Sequence, residues 1–86
     1  MDLPIPPSID DLAAYQITVL GSLSLRWSER LEGMTILTTS LNDGVTLSIL
    51  SGILTDQAAL IGVLNTLYEF HLPLLTVIRL PIAGMK

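Results

Sequence analysis

Few side chains in this 86-residue sequence could do chemistry, and none stands at a spacing that makes a catalytic set. Its one histidine, His71, could act as a general base near neutral pH. No Ser, Asp or Glu stands at motif spacing from it, and Glu69 falls on a different side of the helix predicted there. A place at that helix's C-terminus suits a cap or surface role, where the helix dipole favours the cation. Ser22, Ser24 and Asp56 are the other candidates, and they share no spacing with His71. Asp10 and Asp11 suggest paired carboxylates, but adjacent residues on a helix diverge, and they read better as first-turn acids. Gly21-Ser22-Leu23-Ser24, with Arg26 a few residues on, could form a weak anion nest at a helix start. No Walker, Rossmann or nucleophile-elbow pattern occurs. The expectation is therefore a protein that is not an enzyme, with no catalytic, cofactor-binding or metal-binding residues.

Composition narrows the reading further. There is no cysteine, which excludes disulfides and thiolate metal sites, and a single histidine excludes a two-His zinc site. A chain this short buries only about 60–65% of the surface it exposes unfolded, so it needs support from elsewhere. Half its residues are hydrophobic and only 14% are charged, an unusual balance for a small monomer. An apolar surface covered by another chain is expected. The net charge of -4 argues against nucleic acid, because Arg26, Arg30, Arg79 and Lys86 are too few and scattered for a phosphate-binding patch. RNA-binding domains stack bases on strand aromatics, and the inner strands here offer only Tyr15. Asp43, Asp56, Glu69 and Arg79 interrupt the apolar second half before any run reaches membrane-spanning length. The N-terminus has no basic region and carries acids, so no secretory signal is expected. The expected setting is cytoplasmic, without membrane or nucleic-acid partners.

The elements that would position these residues follow from the periods. Pro4, Pro6 and Pro7 favour an extended, polyproline-like arm within residues 1–14, while Ser8 with Asp11 resembles an N-cap and its reciprocal acid, so residues 9–14 could form one helical turn. The segment reads either as a loose terminus or as an arm packed on a partner through Leu3, Ile5, Ile9 and Leu12. Residues 15–20 alternate as a strand, with Tyr15, Ile17 and Val19 facing one way. Ser22 or Ser24 caps a short helix through residue 32, striped by Leu23, Trp27 and Leu31. Gly33 ends it. Trp27 reads as core filling, and Arg26 with Glu29 as a solvent-facing pair. Residues 34–39 and 45–53 form two strands about Asn42-Asp43-Gly44, residues suited to a tight primed turn. A second helix runs over residues 57–70 behind Thr55 or Asp56, with Leu60, Val63, Leu64 and Leu67 inward. Pro73 stops it. Residues 74–80 form the last strand, and a tail follows from residue 81.

This β-α-β-β-α-β order predicts one α+β domain over residues 15–80. It is ferredoxin-like, an antiparallel four-stranded sheet with the first and third strands central and two helices on one face. The other face is expected to carry Gln16, Thr18, Leu20, Thr35, Leu37, Thr39, Thr46, Ser48, Leu50, Leu74, Thr76 and Ile78. A solvated sheet face is normally richer in Lys, Glu and Arg, and this set has none. The face is therefore expected to be covered, most simply by a second copy about a two-fold axis. Thr18, Leu20, Leu37, Thr46, Ser48, Leu50, Thr76 and Ile78 are the expected interface. The poorly protected final strand offers a second route to association through its edge.

Arg26-Trp27-Ser28-Glu29 followed by Gly33-Met34-Thr35-Ile36 has a counterpart elsewhere. So have Asp56-Gln57-Ala58-Ala59-Leu60, Gly62-Val63-Leu64, and Leu72-Pro73-Leu74-Leu75 with Val77. Together they resemble a family of short, uncharacterised bacterial proteins with R-W-S-E-W-F-x-G-L-T-I, D-Q-A-A-L-H-G-x-L and L-P-L-L-x-V blocks. The resemblance covers residues 15–80 and implies the architecture alone, with no catalytic residues to transfer. Arg30-Leu31 stands where that family has Trp-Phe, and Ile61 where it has His.

The function expected is a non-enzymatic interaction or regulatory module that works as a homo-oligomer, with room for a further protein partner. An ACT-like small-molecule sensor, with its effector at a subunit boundary, is the alternative. A small enzyme is a distant third.

Overall fold

The computed structural model of the chain describes residues 12–81. The arm expected at residues 1–14 lies outside the described residues up to residue 11, and the tail lies outside them from residue 82. The elements are β1 (Ala13–Leu20), a 3₁₀ helix (Leu25–Leu31), β2 (Thr35–Ser40), β3 (Thr46–Leu54), α1 (Gln57–Glu69) and β4 (Leu74–Leu80). All strand pairs are antiparallel, and the sheet order is β2-β3-β1-β4. This is an α+β protein, the class the sequence predicts. Residues 13 and 14, expected in the arm, open β1 instead.

The first helix is a 3₁₀ helix rather than the α-helix expected. Ser24 caps it, its Oγ accepting from the Arg26 amide at 3.4 Å, while the Trp27 amide donates to the Ser24 carbonyl at 3.1 Å. Two consecutive left-handed residues, Glu32 (φ 58°) and Gly33 (φ 73°), end it after seven residues. So short a segment gains little from α-helical propagation, and the tighter i→i+3 pattern suits it. The Ser28 hydroxyl then donates to the Met34 carbonyl at 2.7 Å, tying the helix to the start of β2.

The turn between β2 and β3 holds the main correction. Only Gly44 has positive φ, at 86°, so this is not the two-residue primed turn expected. The Gly44 amide donates to the Leu41 carbonyl, the Leu41 amide to the Val45 carbonyl, and the Val45 amide to Asp43 Oδ1. It is a three-residue loop with glycine at the left-handed position. One extra loop residue reverses the parity of the pairing. Ser40 faces Thr46, so Ile36 faces Leu50; a two-residue turn would have set Ile36 against residue 51 or 49. Every side chain of β3 therefore changes sides relative to expectation.

Thr46, Ser48 and Leu50 thus belong to the helix-covered face, against the expectation that placed them on the open one. Leu50 is fully buried against its neighbour Ile17, and Leu54 continues the same row. Ser48 is buried yet satisfied: its hydroxyl donates to the Gly21 carbonyl at 2.7 Å and accepts from the Leu23 amide at 2.9 Å. Gly52 faces Met34, whose Cα lies 3.4 Å from where a β-carbon would stand. Small residues at 48 and 52 therefore make room for the loop before the 3₁₀ helix and for the start of β2. Leu74 also changes sides. A bulge between Thr18 and Val19 in the β1–β4 pairing sets Leu74 beside Val19, on the helix side.

Asp56 caps α1, its Oδ1 accepting from the Ala59 amide at 2.9 Å. At the other end the His71 amide donates to the Tyr68 carbonyl and the Leu72 amide to the Leu67 carbonyl. His71 takes the left-handed conformation (φ 59°) that glycine usually fills in such a cap. The core lies between helices and sheet. Tyr15, Ile17 and Val19 of β1 meet Ile36, Leu50 and Leu54, roofed by Leu23, Leu31, Val63 and Leu67.

Candidate functional site

The face of the sheet away from the helices is the most unusual surface among the described residues. Alternation and register place Ala14, Gln16, Thr18 and Leu20 of β1 there, with Thr35, Leu37 and Thr39 of β2. Leu47, Ile49, Ser51 and Ile53 of β3 join them, with Thr76, Ile78 and Leu80 of β4. None is charged. Leu37 is 62%, Ile53 56% and Ile78 43% exposed. The rows can be followed across the sheet, as in Leu37–Ile49–Thr18–Thr76. Aliphatic side chains alternate across the face with threonine and serine hydroxyls and the Gln16 amide.

Of the interface residues expected from sequence, Thr18, Leu20, Leu37, Thr76 and Ile78 share this face. Thr46, Ser48 and Leu50 do not. Sequence reasoning missed Leu47, Ile49 and Ile53, which make the face more apolar than anticipated. The signal that could have found them is the loop length, because Leu41 and Val45 bracketing residues 42–44 set the parity of β3.

A second apolar surface lies on the helix side. α1 packs over β3 and against the 3₁₀ helix and leaves β4 largely uncovered. Between α1 and β4 runs a groove of about 270 Å³ lined by Leu64, Leu67, Tyr68, Leu72, Pro73 and Leu74. Its walls stay exposed beyond these residues, at Ile61 on α1 and Val77 on β4.

The polar candidates fall into structural roles. Ser24 and Asp56 are helix caps. His71 is exposed, and Ser22 stands at the surface without a triad partner. Trp27 is half-buried against Phe70 at 5.1 Å between ring centroids, with Arg26 and Arg30 over its ring at 5.0 and 5.6 Å. Such cation–π contacts at an exposed site contribute about 0.5–1 kcal/mol. The pair expected between Arg26 and Glu29 is not formed. Arg30 lies 3.6 Å from Glu69 instead, both well exposed. Among the described residues no three His, Asp or Glu side chains gather as a metal site, and every buried side-chain polar atom is hydrogen-bonded. No helix there is long and apolar enough to cross a membrane.

Fold and surface thus define a small α+β domain with an uncharged sheet face left open among the described residues. The chain belongs to the family described as Domain of unknown function (DUF8691), whose model matches residues 14–78. Neither a curated protein nor a solved structure matches it significantly.

Proposed function

We propose that the protein is a non-enzymatic interaction module that works as a homo-oligomer, with the open sheet face as its contact between copies. The observation that carries this reading is the absence of any charge on that face, combined with exposed Leu37, Ile53 and Ile78 along it. Soluble monomers rarely leave so contiguous an apolar patch wet. Size supports the reading as well. Four strands about 4.8 Å apart and about 3.3 Å per residue make a face of roughly 400–500 Å² in projection. Pleated side chains expose more than their projection, which brings the face near the ~800 Å² per partner of a standard interface. A two-fold axis lets the face meet itself, aliphatic rows against aliphatic rows.

The ferredoxin-like assignment belongs with this proposal. The central placement of β1 and β3 and the helices on one face support it; the 3₁₀ geometry of the first helix is a departure. The test is mass in solution. Light scattering at micromolar concentration should give twice the monomer mass, and Leu37→Lys with Ile49→Lys should return the monomer with its circular dichroism intact. A wild-type monomer at that concentration would overturn the proposal.

A further inference from the structure

We propose that the chain's own N-terminal segment, residues 1–11, docks in the groove between α1 and β4. Asp10 and Asp11 would lie beside Arg79, with Leu3 and Ile5 against Leu64, Tyr68 and Leu72. The inference does not depend on the homo-oligomer reading.

The groove is built and open. On β4, Leu74 is 49% and Val77 40% exposed, both on the helix side by register. Ile61, Leu64 and Tyr68 recur at helical spacing along one flank of α1, with Ile61 57% and Tyr68 79% exposed. An apolar trough of this kind beside an unpaired strand edge attracts an extended segment.

The segment enters at the matching end. Ala14 is paired with Leu80 and Tyr15 with Arg79, so the chain before β1 begins beside the end of β4. Seven residues of β4 span about 23 Å at ~3.3 Å each, whereas eleven residues reach about 36 Å when extended. That is enough to reverse direction and run the length of the trough.

The order of chemistry along the segment matches the order along the groove. Asp10 and Asp11 stand at its root, where Arg79 is exposed and forms no ion pair among the described residues. Leu3 and Ile5 stand at its far end, where Leu64, Leu67, Tyr68, Leu72, Pro73 and Leu74 form the apolar pocket. Pro4, Pro6 and Pro7 favour an extended backbone, which lowers the entropy lost on docking. Filled in this way, the groove ceases to be a second sticky surface, and contact between copies is confined to the open face.

The absence of cysteine allows a nitroxide to be attached at a single introduced thiol, Asp2→Cys. The label is expected to broaden the amide signals of Tyr68, Leu72 and Leu74 at least threefold more than those of Thr38 and Thr39 at the opposite edge. A mixture of spin-labelled, isotopically silent chains with isotope-labelled, nitroxide-free chains should show no such broadening. Arg79→Glu should halve the effect or more, and Asp10→Lys with Asp11→Lys in that background should restore it. Uniform broadening would overturn the proposal. So would broadening of the same signals in the mixed sample, which would place the segment in a neighbouring copy, and so would indifference to the charge reversals. None of these readouts uses the molecular mass, so the two proposals fail separately.

Discussion

The two faces of the sheet carry nearly the same kinds of side chain and meet different fates. On the helix side, Ile17, Val19, Leu50 and Leu54 are fully or almost fully buried. On the other side, Leu37, Leu47, Ile49 and Ile53 form an equally aliphatic row with nothing over it among the described residues. The covered face even holds the buried Ser48, and the bare face holds Ile49, Ile53 and Ile78. Polarity alone therefore does not say which side of a strand is interior. What decides is whether the polar or small residue has a structural task there. Ser48 satisfies a loop amide and a loop carbonyl, and Gly52 admits Met34.

The sharpest way to break this comparison is to place one charge on each of two adjacent residues. Leu50→Lys buries an ammonium in the core and should abolish folding, seen as loss of the circular dichroism signal. Ile49→Lys, one residue away, should leave that signal unchanged and shift the dissociation constant by tenfold or more in sedimentation. If both variants behaved alike, the two faces would not differ as described. A milder probe of the covered side is Leu50→Ala, which should lower unfolding free energy by about 2–5 kcal/mol in urea titration. Ser48→Ala leaves the Leu23 amide without its partner and should cost about 1–3 kcal/mol, with no change in subunit number. The smallest effect is expected at the rim, where Arg30→Ala removes stacking on Trp27 and an exposed ion pair. A loss of about 0.5–1 kcal/mol in the same titration is expected, and a loss above about 2 kcal/mol would give this rim a larger role than its exposure allows.

Most of the element order was legible because each element announces itself locally. Tyr15, Ile17 and Val19 alternate with polar neighbours and mark β1. Asp56 before the stripe of Leu60, Val63 and Leu67 marks α1, Pro73 ends it, and Leu74 to Leu80 coincide with the predicted last strand. The 3₁₀ geometry was not legible, since Leu23, Trp27 and Leu31 recur as an α-helical stripe would. The faces of β3 were misread because its alternation is symmetric: Leu47, Ile49 and Ile53 are as apolar as Leu50 and Leu54. Only the number of residues in the hairpin loop distinguishes the two registers, and Asn-Asp-Gly fits both two- and three-residue loops. The candidate site inherited that error at Thr46, Ser48 and Leu50, while Thr18, Leu20, Leu37, Thr76 and Ile78 rested on strands whose sides were read correctly. The α1–β4 groove was invisible to periodicity, because it depends on how far a helix reaches across a sheet.

The Leu23 amide has one further consequence. Its proton is held by a hydroxyl rooted in the centre of β3 rather than by a helical carbonyl. Fraying of the neighbouring 3₁₀ helix therefore does not release it to deuterium. That single proton should exchange on the clock of the whole domain, a built-in gauge of global opening inside a segment that looks like a loop.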